Sequence, residues 1–459
     1  MPPNEDWGQM KTTAGSSRSL QRILGVTFGI AVGLGGMIGS GIMRTPSLVA
    51  GELPTATWII GLWVLGGLHA ALGTNIYAEL STAVPKDGGP YVFVHRAFGN
   101  AAGLLTGWAD WGSYMASTAA ASVSFGEFLS LIWPAAAPYK AAIAVLLQAS
   151  LYGANMVGLR QGRALQEGTS LVKALMLLVF VCAAAAVAWA APFGGHAAAA
   201  PASVTPALGL LSLAVAYQMI VGAYAGWNGA AAFSEENADP ARSLPKALFL
   251  GLLATAILYV SVNLGLLAAL GTDGLAGSPM PFSAVIARIG GPLPGLLFAV
   301  GAMIVVASCA NAAIMGGSRV LFALSRDGLL PGAFQSLNKG GSPDMAFLLS
   351  AAASIALATT GSFGIVFGLI GVLATVVGVL VDASFFVLRK REPGLARPFR
   401  ARLYPWLPGL LLVVDAALLV LFSREDRTGI MVAFALAAAC VPFAWAARRA
   451  NFGPNSSSA

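Results

Sequence analysis

Residues 30–50 read as one apolar membrane span, yet Gly39, Ser40 and Gly41 fall near its middle, inside a wider run with Gly33, Gly35 and Gly36. A second interruption, the stretch Ala223 to Asn228 (Ala-Tyr-Ala-Gly-Trp-Asn), cuts a later apolar span counted from Pro206 to Glu236. In hydrocarbon an unpaired backbone N–H or C=O costs several kcal/mol. Such breaks persist only where protein, water or a ligand satisfies the freed groups. Two breaks at corresponding places in two halves of a membrane chain point to a binding site at the bilayer midplane. The expectation is a secondary transporter for a small charged or zwitterionic molecule.

The rest of the sequence agrees with a membrane setting. Of 459 residues 57% are hydrophobic and only 10% charged, where soluble proteins carry about 25% charged residues. The 55 glycines suit close helix–helix packing. Cys182, Cys309 and Cys440 all lie inside apolar spans, so none is placed for an extracellular disulfide. The polar start, Met1 to Gln21, leads into a span too long for a cleavable signal. Windows of about 20 apolar residues predict twelve helices, centred near residues 36, 69, 116, 148, 178, 220, 256, 306, 352, 374, 413 and 437. An even number places both termini on one side. With the termini cytoplasmic, 20 of the 26 Lys and Arg fall inside, five fall outside and Lys173 is intramembrane, which fits the positive-inside rule. The net charge of +7 is therefore a topology signal and not a sign of nucleic-acid binding. Basic residues at 389–402 are read as retaining that loop on the inner face, with contact to anionic lipid as the alternative reading.

The chemistry-bearing residues cluster at the breaks. Gly39-Ser40-Gly41 lets the backbone leave helical geometry cheaply. The half-helix that follows presents free N–H groups and a positive dipole end, so a carboxylate suits the amides of Ser40, Gly41 and Ile42; the competing reading is a small-residue packing face. At the second break Trp227 and Asn228 sit beside freed carbonyls of Gly222 to Ala225, which attract an ammonium. Lys173 lies several residues into the fifth span. Three readings stay open for it: a fixed positive charge bonded to carbonyls of the first break, a proton-exchanging group, or snorkelling to the cytoplasmic interface. Asp110, about a dozen residues into the third span, is a candidate for coupling or gating. Asp382 and Arg389, one heptad apart, can pair. Arg44 lines an outer vestibule or pairs structurally, with Glu52 as a partner. His69, His95 and His196 are scattered and have no metal spacing. No Gly-x-x-x-x-Gly-Lys loop is present, which argues against direct ATP drive. No cofactor and no resident metal are expected.

Four segments together resemble the amino acid–polyamine–organocation transporters, and most of all the L-type amino acid transporter branch with its bacterial relatives. They are Gly39-Ser40-Gly41-Ile42 with Pro46; Ala78-Glu79-Leu80 with Pro85, Gly88-Gly89 and Tyr91; Ala223 to Pro245 with Glu235-Glu236, Asp239-Pro240, Arg242 and Leu244-Pro245; and Gly317-Ser318-Arg319 through Arg326-Asp327-Gly328-Leu329-Leu330-Pro331. The resemblance runs from about Leu24 to Arg391. It implies an all-α integral membrane protein of twelve transmembrane helices, with the five-plus-five inverted repeat of the bacterial leucine transporter fold and two C-terminal helices. The boundaries are then 1–21 for a cytoplasmic tail, 22–190 for helices one to five, 191–391 for helices six to ten, 392–448 for the last two helices and 449–459 for a second cytoplasmic tail.

The resemblance also implies roles. An α-amino acid would lie at the midplane with its carboxylate on Ser40 and Gly41, beside Gly39 and Ile42. Its amine would face the carbonyls of Met37, Gly222 and Ala225. Lys173 matches the fifth-helix lysine of sodium-independent members. Trp227 and Asn228 match a Trp-Asn pair near the substrate side chain, and Arg319 and Glu235 belong to the cytoplasmic gate region. Two departures stand out. Gly222 occupies a position that often carries an aromatic gate in this branch, which leaves the outer lid to another residue such as Tyr217 or Tyr114, or leaves it looser. The segment from Trp133 to Tyr139 lacks the cysteine by which animal L-type members bond a single-span partner, so a stand-alone carrier is expected. The reading is a sodium-independent carrier of L-amino acids, neutral ones favoured, in a bacterial inner membrane, working as exchanger or proton symporter. Its rivals are a polyamine or cationic amino acid carrier, which would need Asp110 or Glu127 to supply acid to the pocket, and a membrane amino acid sensor.

Overall fold

The computed structural model describes residues 25–86, 88–157, 173, 176–177, 179–183, 208–234, 237, 239–338, 341–425 and 427–451. Every extended element among them is helical. In chain order these are α1 (Val26–Met37), α2 (Ser40–Glu52), α3 (Ala56–Ala83), α4 (Pro90–Phe98), α5 (Asn100–Ile132), α6 (Lys140–Val157), α7 (Leu210–Tyr224), α8 (Pro240–Ala276), α9 (Pro281–Gly290), α10 (Pro292–Arg326), α11 (Asp344–Ala358), α12 (Phe363–Arg391), α13 (Trp406–Glu425) and α14 (Arg427–Asn451). The described residues between 173 and 183 are helical too. Helix covers every expected span centre that lies among the described residues; residue 178 lies outside them. Eight segments are by themselves long and apolar enough to cross a membrane. The first expected span is divided between α1 and α2, and α11 is a shorter helix of 15 residues.

Small residues set the packing. Helices α5 and α10 run antiparallel, and glycines alternate with bulky side chains along their seam: Gly107 meets Leu324, Gly316 meets the Tyr114 ring, and Gly317 meets Met115. On α3, Gly66 and Gly67 seat Ile220 and Tyr224 of α7. Gly371 of α12 lies against the backbone of Gln218 on α7. With lipid as apolar as the side chains, such close approach is what holds membrane helices together.

One local arrangement occurs twice. The short helix α4 ends at Gly99 (φ 85°), whose N–H donates to the His95 carbonyl, and Gly103 of α5 then packs on His95. The short helix α9 ends at Gly291 (φ 88°), whose N–H donates to the Ala287 carbonyl, and Gly295 of α10 packs on Ala287. In each case a long helix precedes the short one and another long helix follows. Only glycine takes these positive φ values at little cost.

The expected cytoplasmic end is fastened by charge. Glu79 on α3 is 1% exposed. Its carboxylate accepts two bonds from Arg389 of α12, one at 2.8 Å, a third from the Ala401 N–H at 2.7 Å, and lies 3.2 Å from Arg397 Nε. The Arg389 guanidinium also covers the Tyr404 ring at 4.1 Å. Arg389 therefore pairs with Glu79 and not with Asp382. Sequence spacing favoured the local partner, but a buried carboxylate is held only where several donors converge, and the 389–402 loop supplies them.

Removing one member of a buried pair strands the others. Glu79→Ala is expected to lower unfolding stability by about 3 kcal/mol, read from thermal unfolding of purified protein beside the wild type. An unchanged midpoint would show that the Glu79 cluster is not a structural fastener.

Candidate functional site

The first break lies one residue earlier than the glycine pattern suggests. Helix α1 ends at Met37; Ile38 turns to ψ 101° and Gly39 is extended, before α2 begins at Ser40. The N–H groups of Ser40, Gly41 and Ile42 are the leading amides of a half-helix and have no carbonyl a turn earlier to meet. Met43 is the first residue to reach back, to the Gly39 carbonyl at 3.4 Å. Ser40 is 2% exposed and Ile42 fully buried, so these amides lie inside protein. A side chain at Gly39 would run into the sulfur of Cys309 on α10. Cys309 in turn interacts electrostatically with Lys173, which links that lysine to the break. Lys173 is 4% exposed, so it does not snorkel, and its Nζ has no hydrogen-bond partner among the described residues.

The second break falls where expected. Helix α7 ends at Tyr224, Ala225 turns to ψ 140°, Gly226 adopts φ 102°, and a short 3₁₀ turn follows at Gly229–Phe233. The Ala225 N–H closes on the Gly222 carbonyl at 3.2 Å. The two breaks touch: a Cβ on Gly226 would lie 3.0 Å from the Gly36 backbone, and a Cβ on Gly41 would lie 3.1 Å from the Ala223 backbone. Both approaches are closer than an ordinary Cβ contact, and Gly226 is held as glycine by its φ as well.

Trp227 and Asn228 fix the second break to α3. The Trp227 ring packs edge-on to Tyr77 at 4.8 Å and over Gly73, while the Asn228 side chain hydrogen-bonds the Tyr77 hydroxyl. Sequence reasoning placed this pair near a substrate side chain; in the structure its contacts run to α3.

Tyr259 of α8 joins the two breaks. Its hydroxyl lies 2.7 Å from the Met37 carbonyl and 3.0 Å from the Ala223 carbonyl. One proton serves two acceptors, so each carbonyl keeps capacity for a further donor. The space beside Gly222 is filled by Phe367 of α12: its ring lies 3.2 Å from where a Cβ would stand on Gly222 and on Gly41. Phe367 stacks on Phe363 at 4.8 Å. The two lid residues suggested by sequence are engaged elsewhere, Tyr217 with His69 at 3.0 Å and Tyr114 against Gly316. Sequence reasoning missed Tyr259 and Phe367. A hydroxyl deep in the run Ala254 to Leu267 was the available signal for the first; nothing local marked the second.

Charged groups lie toward the two ends. Near the expected outer end Arg44 Nε donates to Glu127 Oε2 of α5 at 3.1 Å, and so bridges α2 to α5 and not to Glu52. Near the expected inner end Asp110 approaches Gly89, and its charge reaches both Tyr77 and Tyr114; that of Arg319 also reaches Tyr114. Beyond them Asp327 accepts from Lys86 at 2.8 Å and from the Tyr91 hydroxyl at 3.1 Å, with Arg326 at 3.3 Å. Glu235 lies outside the described residues. No cluster of three metal-binding side chains occurs among the described residues.

Burial alone would raise the Asp327 carboxyl, but the Lys86 hydrogen bond and charge, Arg326 and Tyr91 outweigh it and hold the group below its ordinary 3.8. A depressed folded value means that the cluster contributes fully above the unfolded value and loses its contribution as pH falls through the folded one.

The pattern that describes the amino acid permease family matches residues 24–445. The chain belongs to that family, and with its long apolar helices it is a multi-pass membrane protein of a transporter family rather than an enzyme. Among its relatives are the branched-chain amino acid permease BcaP of Bacillus subtilis, 27% identical over 86% of this chain and 87% of that protein. The large neutral amino acids transporter small subunit 2 of Oryctolagus cuniculus is 27% identical over 94% of this chain and 82% of its own. The serine/threonine exchanger SteT of B. subtilis is 25% identical over 88% of this chain and 91% of its own.

Two outcomes follow from this geometry. Tyr259→Phe removes the donor shared by the two breaks and is expected to weaken amino acid binding about fivefold, from the loss of about 1 kcal/mol, measured by scintillation proximity; unaltered affinity would mean that the hydroxyl does not organise the breaks. The stability difference between wild type and Asp327→Asn is expected to be full above pH 3.8 and to shrink as the pH falls below it; a difference that grows on acidification would contradict the assignment.

Proposed function

We infer, taking membership of the amino acid permease family as premise, that the chain carries neutral L-amino acids across the membrane by alternating access without sodium. The single observation that carries this reading is the contact of two broken helices inside the protein. Leading amides at Ser40, Gly41 and Ile42 lie beside the carbonyl-rich end of α7, with Ala223 packed on Gly41. A zwitterion offers a carboxylate to the first and an ammonium to the second. In this reading the substrate site comprises Met37, Gly39, Ser40, Gly41, Ile42, Gly222, Ala225, Trp227 and Asn228. Lys173 acts as the fixed positive charge that replaces a sodium ion, which its burial beside Cys309 supports. Asp110, Arg319 and Glu235 serve gating and coupling. BcaP is named for branched-chain amino acids and SteT for serine and threonine exchange, which favours small neutral substrates and leaves exchange and proton symport as alternative modes.

The twice-occurring sequence of long helix, short helix, glycine cap and long helix supports the five-plus-five repeat with boundaries at 22–190 and 191–391, two further helices at 392–448 and tails at 1–21 and 449–459. Positive charge on the inner loops supports cytoplasmic termini, and the bacterial relatives support an inner-membrane location. The relative named as a small subunit points to a partner chain for that protein; the segment from Trp133 to Tyr139 holds no cysteine, and we propose a carrier that works alone. A cationic amino acid or polyamine carrier is the weaker reading, because Glu127 is engaged by Arg44 and Asp110 lies near Gly89.

The test is uptake of labelled amino acids and polyamines into proteoliposomes in sodium-free buffer, empty and preloaded. Neutral amino acid uptake is expected from the wild type, and Ser40→Phe is expected to abolish it while the variant still inserts and elutes as a folded protein. Wild-type uptake by Ser40→Phe, or movement of polyamines alone, would contradict the reading.

A further inference from the structure

A second cluster of titratable side chains lies among the helices, and nothing above uses it. His69 of α3 stands between two partners. Its Nδ1 lies 3.0 Å from the Tyr217 hydroxyl of α7, and its Nε2 lies 2.6 Å from Asp415 Oδ1 of α13. All three fall near the middle of their helices, and Asp415 is 5% exposed. The other oxygen of Asp415 abuts Gly378 of α12, 2.6 Å from where a Cβ would stand. Asp382, four residues along the same face of α12, interacts electrostatically with Asp415 and is 2% exposed. Its Oδ2 has no hydrogen-bond partner among the described residues. Two carboxyls and an imidazole thus share one interior region, and one carboxyl oxygen lacks a donor. Ionisable groups are rare inside membranes and are held there by pairing or by taking up protons.

We propose that His69, Asp415 and Asp382 form a proton-binding site, separate from the amino acid site, whose occupancy is coupled to carriage; the coupling, though not the site, rests on the transport reading above. The bonding pattern shows how a proton acts. With Asp415 ionised and His69 neutral, Nε2 donates to Asp415 and Nδ1 accepts from the Tyr217 hydroxyl. A proton arriving on Nδ1 turns that atom into a donor, and the Tyr217 O–H swings away so that its oxygen accepts. Both bonds of His69 are then charge-assisted and stronger, one reaching α7 and the other α13. A proton on Asp382 supplies the donor that its carboxyl lacks between α12 and α13. A bound proton therefore tightens α3 and α7 against α13, and its release loosens them. Helix α7 leads into the second break, so the effect reaches the amino acid site.

Among the described residues, those whose electrostatic environment includes this cluster are Tyr77 of α3, which is reached by Asp382 and Asp415 as well as by Asp110 of α5, and Tyr217 of α7, which is reached by Asp415 and by Tyr224. None is a cation. Arg389, farther along α12, is engaged by Glu79. A proton therefore brings this cluster its positive charge.

The test uses the full chain, as wild type and as H69Q, D415N and D382N, each checked for a monodisperse elution profile. Amino acid exchange in proteoliposomes is measured from about pH 8 to about pH 5. The wild-type rate is expected to fall about threefold or more across that range, and the H69Q rate to stay level. In parallel, the carboxyl stretching bands of the solubilised protein are followed by infrared titration. A band that changes with pH in the wild type, is lost in D415N or D382N and is altered in H69Q supports the site even if the wild type carries no amino acid, an outcome that would reject only the transport reading. An H69Q exchange profile that superimposes on the wild type, or an infrared titration indifferent to all three substitutions, overturns the proposal.

Discussion

The structure depends on how backbone groups freed inside a membrane are satisfied. Two helices stop short, at Met37 and at Tyr224, and each leaves amides or carbonyls that water cannot reach cheaply. The chain answers by bringing the two stops together. Gly36 lies on Gly226, Gly41 lies on Ala223, and the Tyr259 hydroxyl spans the Met37 and Ala223 carbonyls. What remains is a set of leading amides opposite a set of carbonyls, a polarity that complements an amino acid backbone. The side-chain limit is then set by what lies beside the glycines, chiefly Phe367.

Charge is distributed to leave that region free to move. Two ion-pair clusters sit away from the breaks, with Glu79 under Arg389 and Arg397 and Asp327 under Lys86, while Arg44 on Glu127 ties the half-helix after the first break to α5. Each joins segments far apart in sequence, so each is a contact that a rocking motion must keep or break as a unit. Surface pairs of this kind are worth little, but the Glu79 cluster is buried and multiply bonded. It anchors α3 to α12 and to the 389–402 loop.

Much of this was legible in the sequence because it depends on local composition. The breaks announce themselves as glycines inside apolar runs, and the span centres follow from hydropathy over one helix length. The burial of Lys173 follows from its place within a span. Partners were not legible, because they depend on which helices meet. Arg44 is 83 residues from Glu127, and Arg389 is 310 from Glu79; sequence proximity offered only Glu52 and Asp382 as partners. The lid shows the same limit. Gly222 marks a missing ring, but the ring that fills the gap belongs to α12, some 145 residues later. Trp227 was recognisable as a residue of the second break, yet its seat at Gly73 and Tyr77 depends on the packing of α3.

The central claim is that the backbone of both breaks is the substrate's binding surface. Hydrogen–deuterium exchange of the purified protein, with and without a saturating neutral amino acid, reads this directly. The account predicts added protection together in peptides covering residues 36–45 and 220–230, with little change at the Glu79 cluster. Protection confined to other helices, or substrate binding that leaves both breaks unprotected, would contradict it.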